Sequence, residues 1–142
     1  TEAVDKAVEL CSAKGAKRAV KLEVSAPFHC SLLKPAGEKL AMELEKVEFY
    51  GMKLPVVSNA TAEYVTDKGL VKDLLIRQVS SPVRWEDSMR RLIADGIDTF
   101  VEIGPGKTLA GFMRKIDRNV KMLNVENLES LENTLEALGA GV

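Results

Sequence analysis

The chain contains one histidine, His29, in the segment Ser-Ala-Pro-Phe-His-Cys at residues 25–30. Imidazole is the side chain whose ordinary pKa lies nearest to neutral pH, so His29 is the first candidate for a general base. Such a base needs a nucleophile, and no serine occupies a Gly-x-Ser-x-Gly elbow in the sequence. These residues predict half of an active site, namely a base without its nucleophile. The alternative is a packed or exposed histidine with no catalytic role.

A general base also needs an acceptor for its second ring nitrogen, which fixes the tautomer and the orientation of the ring. The helix that we expect to end at Ser81 offers one. Its Gln78 carbonyl would ordinarily accept the N–H of residue 82, but Pro82 has none. Two alternatives stay open, because the carbonyl can bind His29 or can bind water at the helix end.

A second loop, at residues 104–108, has the sequence Gly-Pro-Gly-Lys-Thr and invites comparison with a phosphate-binding loop. That loop type needs a glycine five residues before its Gly-Lys-Thr, where this chain has Val101. The glycines therefore favour a tight turn between a strand and a helix. The alternative is a weak anion site formed by the helix N-terminus and Lys107.

The length and composition are those of a soluble, globular protein of single-domain size: 142 residues, 46% hydrophobic and 29% charged, with a net charge of −1. No basic block favours nucleic acid, and no apolar run approaches the roughly 20 residues of a membrane helix. Cys11 and Cys30 with one histidine indicate neither a disulfide framework nor a metal site. We expect no cofactor and a cytoplasmic location.

Helical and strand patterns alternate along the chain, which favours an α/β fold with a largely parallel sheet. The expected helices lie at about residues 2–14, capped by Thr1 and ended by Gly15, and at about 33–47, 70–80, 85–95, 109–116 and 128–138. The expected strands lie at 20–24, where Val20, Leu22 and Val24 alternate with charged residues, and at 54–58, 99–103 and 122–125.

Four ordered motifs resemble those of the malonyl-CoA:acyl carrier protein transacylase family, which loads malonyl groups in bacterial fatty acid synthesis. The motifs are Ala-Pro-Phe-His-Cys at 26–30 with Leu-Leu-Lys-Pro at 32–35, Pro-Val-Val-Ser-Asn at 55–59, Arg-Gln-Val at 77–79 with Pro-Val-Arg-Trp at 82–85, and Val-Glu-Ile-Gly-Pro-Gly-Lys-Thr-Leu at 101–109 with Gly111. The resemblance runs from about residue 1 to the last helix and matches the C-terminal half of the family.

The resemblance implies the C-terminal part of an α/β-hydrolase-like acyltransferase core with a mainly parallel sheet. Residues 1–26 would be the last helix and strand of a small ferredoxin-like subdomain, and residues 27–142 would belong to the large domain. In the family, a serine attacks the malonyl thioester of coenzyme A, a histidine takes its proton, and the acyl group passes to the phosphopantetheine thiol of acyl carrier protein.

By the same resemblance, His29 is the general base and the backbone carbonyl of Gln78 orients it. Phe28 matches a position associated with a preference for malonyl over branched acyl groups, with plain packing as the alternative. Basic side chains that could meet an acidic carrier protein, or simply be solvated, are Lys34, Arg84, Lys107, Arg114, Lys115 and Arg118.

The family's serine elbow, its malonyl-binding arginine and its oxyanion hole all lie upstream of the matched region. We therefore expect the isolated chain to be inactive, and to self-associate or to bind the missing N-terminal half. It could be a truncated piece of a transacylase or a natural subunit completed by a serine-bearing chain. A third alternative is a non-catalytic α/β domain that binds or scaffolds carrier protein or coenzyme A.

Overall fold

The computed structural model describes residues 2–22, 24 and 26–140, so the expected helix cap at Thr1 lies outside the described residues. The helices are α1 Glu2–Ala13, α2 Lys34–Leu44, α3 Val71–Val79, α4 Trp85–Ala94, α5 Thr108–Ile116 and α6 Leu128–Ala137. The strands are β1 Val56–Val57, β2 Tyr64–Val65, β3 Thr99–Ile103 and β4 Lys121–Val125, and short 3₁₀ turns at Ser31–Leu33 and Lys68–Leu70 precede α2 and α3.

The C-terminal third of the chain forms a β3–α5–β4–α6 unit. Strands β3 and β4 pair in parallel, with a register that runs from Thr99 opposite Lys121 to Ile103 opposite Val125. A parallel pair needs a crossover, which α5 supplies, and its Met113 is 1% exposed. This unit confirms the expected α/β fold with a parallel sheet.

Helices α2 and α3 lie against each other, and this contact sets the position of the turn that precedes α2. Gly37 is buried there, and a Cβ atom at this position would lie 3.5 Å from the carbonyl oxygen of Ile76 and 3.8 Å from Cβ of Val79. These are ordinary contact distances, so the two helices pack around a small residue at this position. Pro35 is in the first turn of α2, where its missing N–H costs nothing.

The expected buried strand at 54–58 is wrong in both length and burial. Only Val56 and Val57 form β1, which pairs antiparallel with β2, and Val56 is 50% exposed. Ser58 holds the connecting turn, since its N–H donates to the Glu63 carbonyl at 2.9 Å and its own carbonyl accepts the N–H of Ala62 at 2.8 Å. The apolar run therefore belongs to a short hairpin.

The expected strand at 20–24 is also wrong for the residues that the structure describes. Val20, Leu22 and Val24 have no strand pairing and are 54%, 75% and 66% exposed. Alternation of apolar and charged residues predicts which face a strand would bury, but it carries no information on whether a partner strand is present. Helix α1 likewise has no buried residue.

Within the described residues, no helix combines the length and the apolar composition that crossing a bilayer requires.

Candidate active site

His29 lies in a tight turn between the segment that follows α1 and the 3₁₀ turn before α2. Its φ angle is 55°, a left-handed conformation that costs a non-glycine residue on the order of 1 kcal/mol. Neighbouring bonds hold this conformation: the Phe28 N–H donates to the Ala26 carbonyl at 2.9 Å, and the Cys30 thiol donates to the Pro27 carbonyl at 3.1 Å. Backbone strain of this kind concentrates at functional sites.

The Nδ1 atom of His29 lies 3.1 Å from the backbone carbonyl oxygen of Gln78, at the C-terminal end of α3. A carbonyl oxygen can only accept, so a neutral ring making this bond carries its proton on Nδ1. The lone pair is then on Nε2. Because the residue is exposed, the geometry leaves a ring nitrogen that can take a proton from an incoming group.

From Pro82 we expected the Gln78 carbonyl to have no main-chain donor. That expectation is wrong. Helix α3 ends at Val79 instead of near Ser81, and the Ser81 N–H donates to the Gln78 carbonyl over a long 3.4 Å. A carbonyl oxygen has two lone pairs and accommodates both donors. The long main-chain bond leaves His29 as the nearer of the two.

Phe28 is 59% exposed in the described part of the chain. Its side chain adjoins the histidine in sequence without filling the core. Of the basic residues considered for a carrier protein, Arg84 is bonded within the chain, and Lys107 lies 3.8 Å from Glu126.

The glycine loop after β3 forms a tight turn, and carboxylates of the chain itself accept N–H groups at this turn and at the start of α5. Gly104 and Gly106 have φ angles of 144° and 86°, which side chains rarely adopt. The carboxylate of Glu102 accepts the N–H groups of Leu109 and Ala110 at 3.0 and 2.9 Å. The N-terminus of α5 already has an anionic partner from its own chain.

A charged cluster joins the β1–β2 hairpin to α4. Arg91 donates to Glu63 at 2.7 Å and to Asp95 at 3.0 Å, and its guanidinium lies 5.4 Å from the ring centre of Tyr64. The hydrogen bond from Arg91 lowers the pKa of Asp95, and desolvation, reinforced by Asp95, raises the pKa of Tyr64. The cluster is remote in sequence from His29, and we assign it to the stability of the hairpin.

Two sets of hydrogen bonds, one at the start of α5 and one at the hairpin turn, were not predicted from the sequence. The carboxylate cap from Glu102 comes from the preceding strand, where a lone glutamate gives no capping signal. The bond from the exposed Arg84 side chain to the Thr61 carbonyl reaches a hairpin that the sequence pattern did not predict. The Arg84 contact joins residues 23 positions apart, and the Glu102 cap reaches across the glycine loop to residues seven and eight positions ahead.

No protein-family model matches the chain. It is 46% identical over 135 residues to the malonyl CoA-acyl carrier protein transacylase of Bacillus subtilis. This match covers 95% of this chain and 43% of that protein. The chain is 44% identical over 115 residues to the same-named protein of Escherichia coli, covering 81% and 37%.

Solved structures agree with these relatives. The crystal structure of MCAT from Streptococcus pneumoniae matches with a TM-score of 0.89 at 46% identity, over 96% of this chain and 45% of that one. A type II polyketide synthase acyl-carrier protein in complex with its malonyl-transacylase matches with a TM-score of 0.90 at 39% identity, over 96% and 44%. The chain spans about two fifths of the length of these relatives, and over that length it belongs to the malonyl CoA-acyl carrier protein transacylase family.

Proposed function

We propose that this chain is the C-terminal part of a malonyl-CoA:acyl carrier protein transacylase and that His29 is its general base. The observation that carries the proposal is the 3.1 Å bond between Nδ1 of His29 and the Gln78 carbonyl. The bond holds the ring in the tautomer that a base requires, at the position that the family motif assigns to the active-site histidine.

In the proposed reaction, Nε2 of His29 takes the hydroxyl proton of a serine outside this chain as that serine attacks the malonyl thioester. The tetrahedral intermediate collapses, the carbon–sulfur bond breaks, and the coenzyme A thiolate leaves with the proton from His29. The carrier-protein thiol then attacks the acyl-serine. His29 accepts the thiol proton and returns it to the serine oxygen.

A backbone carbonyl carries a partial charge instead of the full charge of a carboxylate, so it stabilises an imidazolium less than an aspartate would. Its contribution is mainly to fix the tautomer and the direction of the ring. We expect the Gln78 side chain to be replaceable with little loss of activity, because the bond to His29 comes from its main chain.

We also propose that residues 1–26 belong to a small ferredoxin-like subdomain and residues 27–142 to a large α/β-hydrolase-like domain. Helix α1 has no buried residue, and Val20, Leu22 and Val24 are exposed. Both observations support a subdomain whose core also needs residues outside this chain. Limited proteolysis tests this proposal. Cleavage within residues 14–26 should be fast in the isolated chain and slow after the N-terminal half is added; equal rates would count against it.

The exposed apolar side chains predict that the isolated chain self-associates or binds the missing half. Ile103 at the end of β3 is 80% exposed, and Leu22 and Leu54 are about as open. Sedimentation measures this directly. A compact monomer that binds no apolar dye would contradict it.

Malonyl-CoA and acyl carrier protein are the proposed substrates, and the chain alone should transfer nothing between them. Activity should appear when an N-terminal half that carries the Gly-x-Ser-x-Gly elbow is added. Steady transfer of malonyl groups by the pure 142-residue chain would refute the assignment of the nucleophile to residues outside it.

We propose that Phe28 favours malonyl by filling the space of an α-methyl group. In the reconstituted enzyme, Phe28→Ala should improve kcat/KM for methylmalonyl-CoA relative to malonyl-CoA by about 10-fold, the usual value of one methyl group in a pocket. Phe112→Ala, which removes another half-exposed ring on α5, is the matched control. An unchanged ratio in Phe28→Ala would remove Phe28 from the acyl site.

A further inference from the structure

We propose that Arg84 is a positioning residue for His29, because it fixes the C-terminal end of α3, and with it the Gln78 carbonyl, against the hairpin turn at residues 58–63. Its importance for catalysis rests on the function proposed above. Its effect on the geometry of the histidine ring concerns this chain alone.

Arg84 makes bonds to two carbonyl groups of the same hairpin turn. Its backbone N–H donates to the Asn59 carbonyl at 2.9 Å, and its Nη1 donates to the Thr61 carbonyl at 2.9 Å. A third bond, from Nε to the Asp87 carboxylate at 2.9 Å, fixes the direction of the guanidinium plane. Because a guanidinium is rigid and planar, these contacts define both the position and the rotation of the turn.

Packing between the hairpin and α3 does not supply this restraint by itself. An open pocket of about 270 Å³ lies between them, lined by Ser58 and Asn59 from the hairpin and by Leu74, Leu75 and Gln78 from α3. Side chains that face this open pocket make no protein contact on that side. On this side of α3, the bonds from Arg84 to the hairpin turn therefore have a larger share in fixing the segment that follows the helix.

The end of α3 is restrained on one side by α2, where Gly37 lies against Ile76 and Val79, but the main-chain bonds to its Gln78 carbonyl are weak. Among the described residues, the main-chain donors to the Gln78 carbonyl are the Ser80 N–H, which it shares with the Arg77 carbonyl, and the Ser81 N–H at a long 3.4 Å, and Pro82 has no N–H to donate. Arg84 is where the chain is next anchored to another element. Release of its side chain should let the end of α3 shift, and the bond of 3.1 Å to His29 should weaken.

The test uses Arg84→Met, which keeps the aliphatic stem and the backbone N–H bond to Asn59 while removing the guanidinium. Arg90→Met is the matched control, since Arg90 lies on α4, which Arg84 immediately precedes, and pairs with Glu86 within that helix. The readout is the ratio of Nδ1–H to Nε2–H tautomers, taken from the ¹⁵N shifts of the ring of His29. The chain has no other histidine, so labelling it with ¹⁵N-histidine gives these signals alone or beside an unlabelled N-terminal half.

We expect the ratio to fall about fivefold in Arg84→Met, the change expected from one net hydrogen bond, and to stay unchanged in Arg90→Met. An unchanged ratio in a folded Arg84→Met chain would overturn the inference. If Arg84→Met does not fold, Asp87→Ala decides, because it frees the Nε atom of Arg84. A smaller fall in the same direction supports the inference, and no change refutes it.

Activity in the reconstituted enzyme separates this inference from the proposed function. Arg84→Met should lower kcat and leave KM for malonyl-CoA unchanged, with Arg84→Lys recovering part of the loss. If the tautomer ratio falls in Arg84→Met but His29→Gln is fully active, Arg84 positions the ring and the proposal that His29 is the general base is refuted. If the tautomer ratio is unchanged in Arg84→Met but His29→Gln is inactive, the proposal that His29 is the general base stands and the positioning role of Arg84 is refuted.

Discussion

The carboxylate of Glu102 should be a measurable part of the stability of this chain. It accepts two N–H groups at the start of α5, from Leu109 at 3.0 Å and Ala110 at 2.9 Å, where the positive end of the helix dipole also lies. A net hydrogen bond of this type contributes about 1 kcal/mol. Glu102→Ala should therefore lower the free energy of unfolding by about 2 kcal/mol, within the range for lost helix caps.

Glu102→Gln should lower it by about 1 kcal/mol, because the amide oxygen retains one acceptor and the NH₂ group faces the second N–H. Urea unfolding, followed by circular dichroism at protein concentrations where the curve does not depend on concentration, gives both values. Glu132→Gln on the exposed side of α6 is the control and should change little. A Glu102→Ala curve that coincides with the wild type would refute the cap.

Two further predictions concern the packing of α2 on α3 and the hairpin cluster. Gly37→Ala should be tolerated, because its Cβ would make ordinary contacts with Ile76 and Val79. Gly37→Leu should lower the free energy of unfolding by about 1–3 kcal/mol through overpacking, and it should weaken the bond between Gln78 and His29. Thermal unfolding measures the loss of stability, and the ring ¹⁵N shifts of His29 measure the weakened bond. Arg91→Met should raise the pKa of Asp95, which Arg91 lowers by its hydrogen bond. The stabilisation from the lowered pKa is present above the ordinary carboxyl pKa and is lost as the pH falls through the lowered value, so the stability difference between wild type and Arg91→Met should shrink on acidification; a constant difference would contradict it.

The C-terminal unit was predictable from the sequence because its elements are strongly periodic and find their partners within the chain. Strand β3 has the predicted bounds, and α5, β4 and α6 begin or end within about one residue of theirs. Glycines mark the ends of α1 and α4, where Gly15 and Gly96 have positive φ angles of 87° and 91°. These signals are local, and local signals suffice where neighbours in sequence are also neighbours in space.

The pairing of His29 with Gln78 could be put forward because proline chemistry singled out one carbonyl and the family motif singled out the same one. The strand expected at 20–24 failed for the opposite reason. Val20, Leu22 and Val24 have the right pattern, but the described residues offer no strand to pair with them. The bonds of Arg84 to Thr61 and of Glu102 to the start of α5 join residues through geometry that no sequence period encodes.

The role of His29 as the base is tested most directly by reconstitution with a serine-bearing N-terminal half. Wild-type chain should restore malonyl transfer from coenzyme A to acyl carrier protein, and His29→Gln should bind the N-terminal half equally well while lowering kcat by about 10²–10⁴-fold, the usual contribution of a general base. Equal binding is the internal control for folding. Transfer at the wild-type rate with His29→Gln would contradict the assignment of the base and leave this chain a scaffolding role.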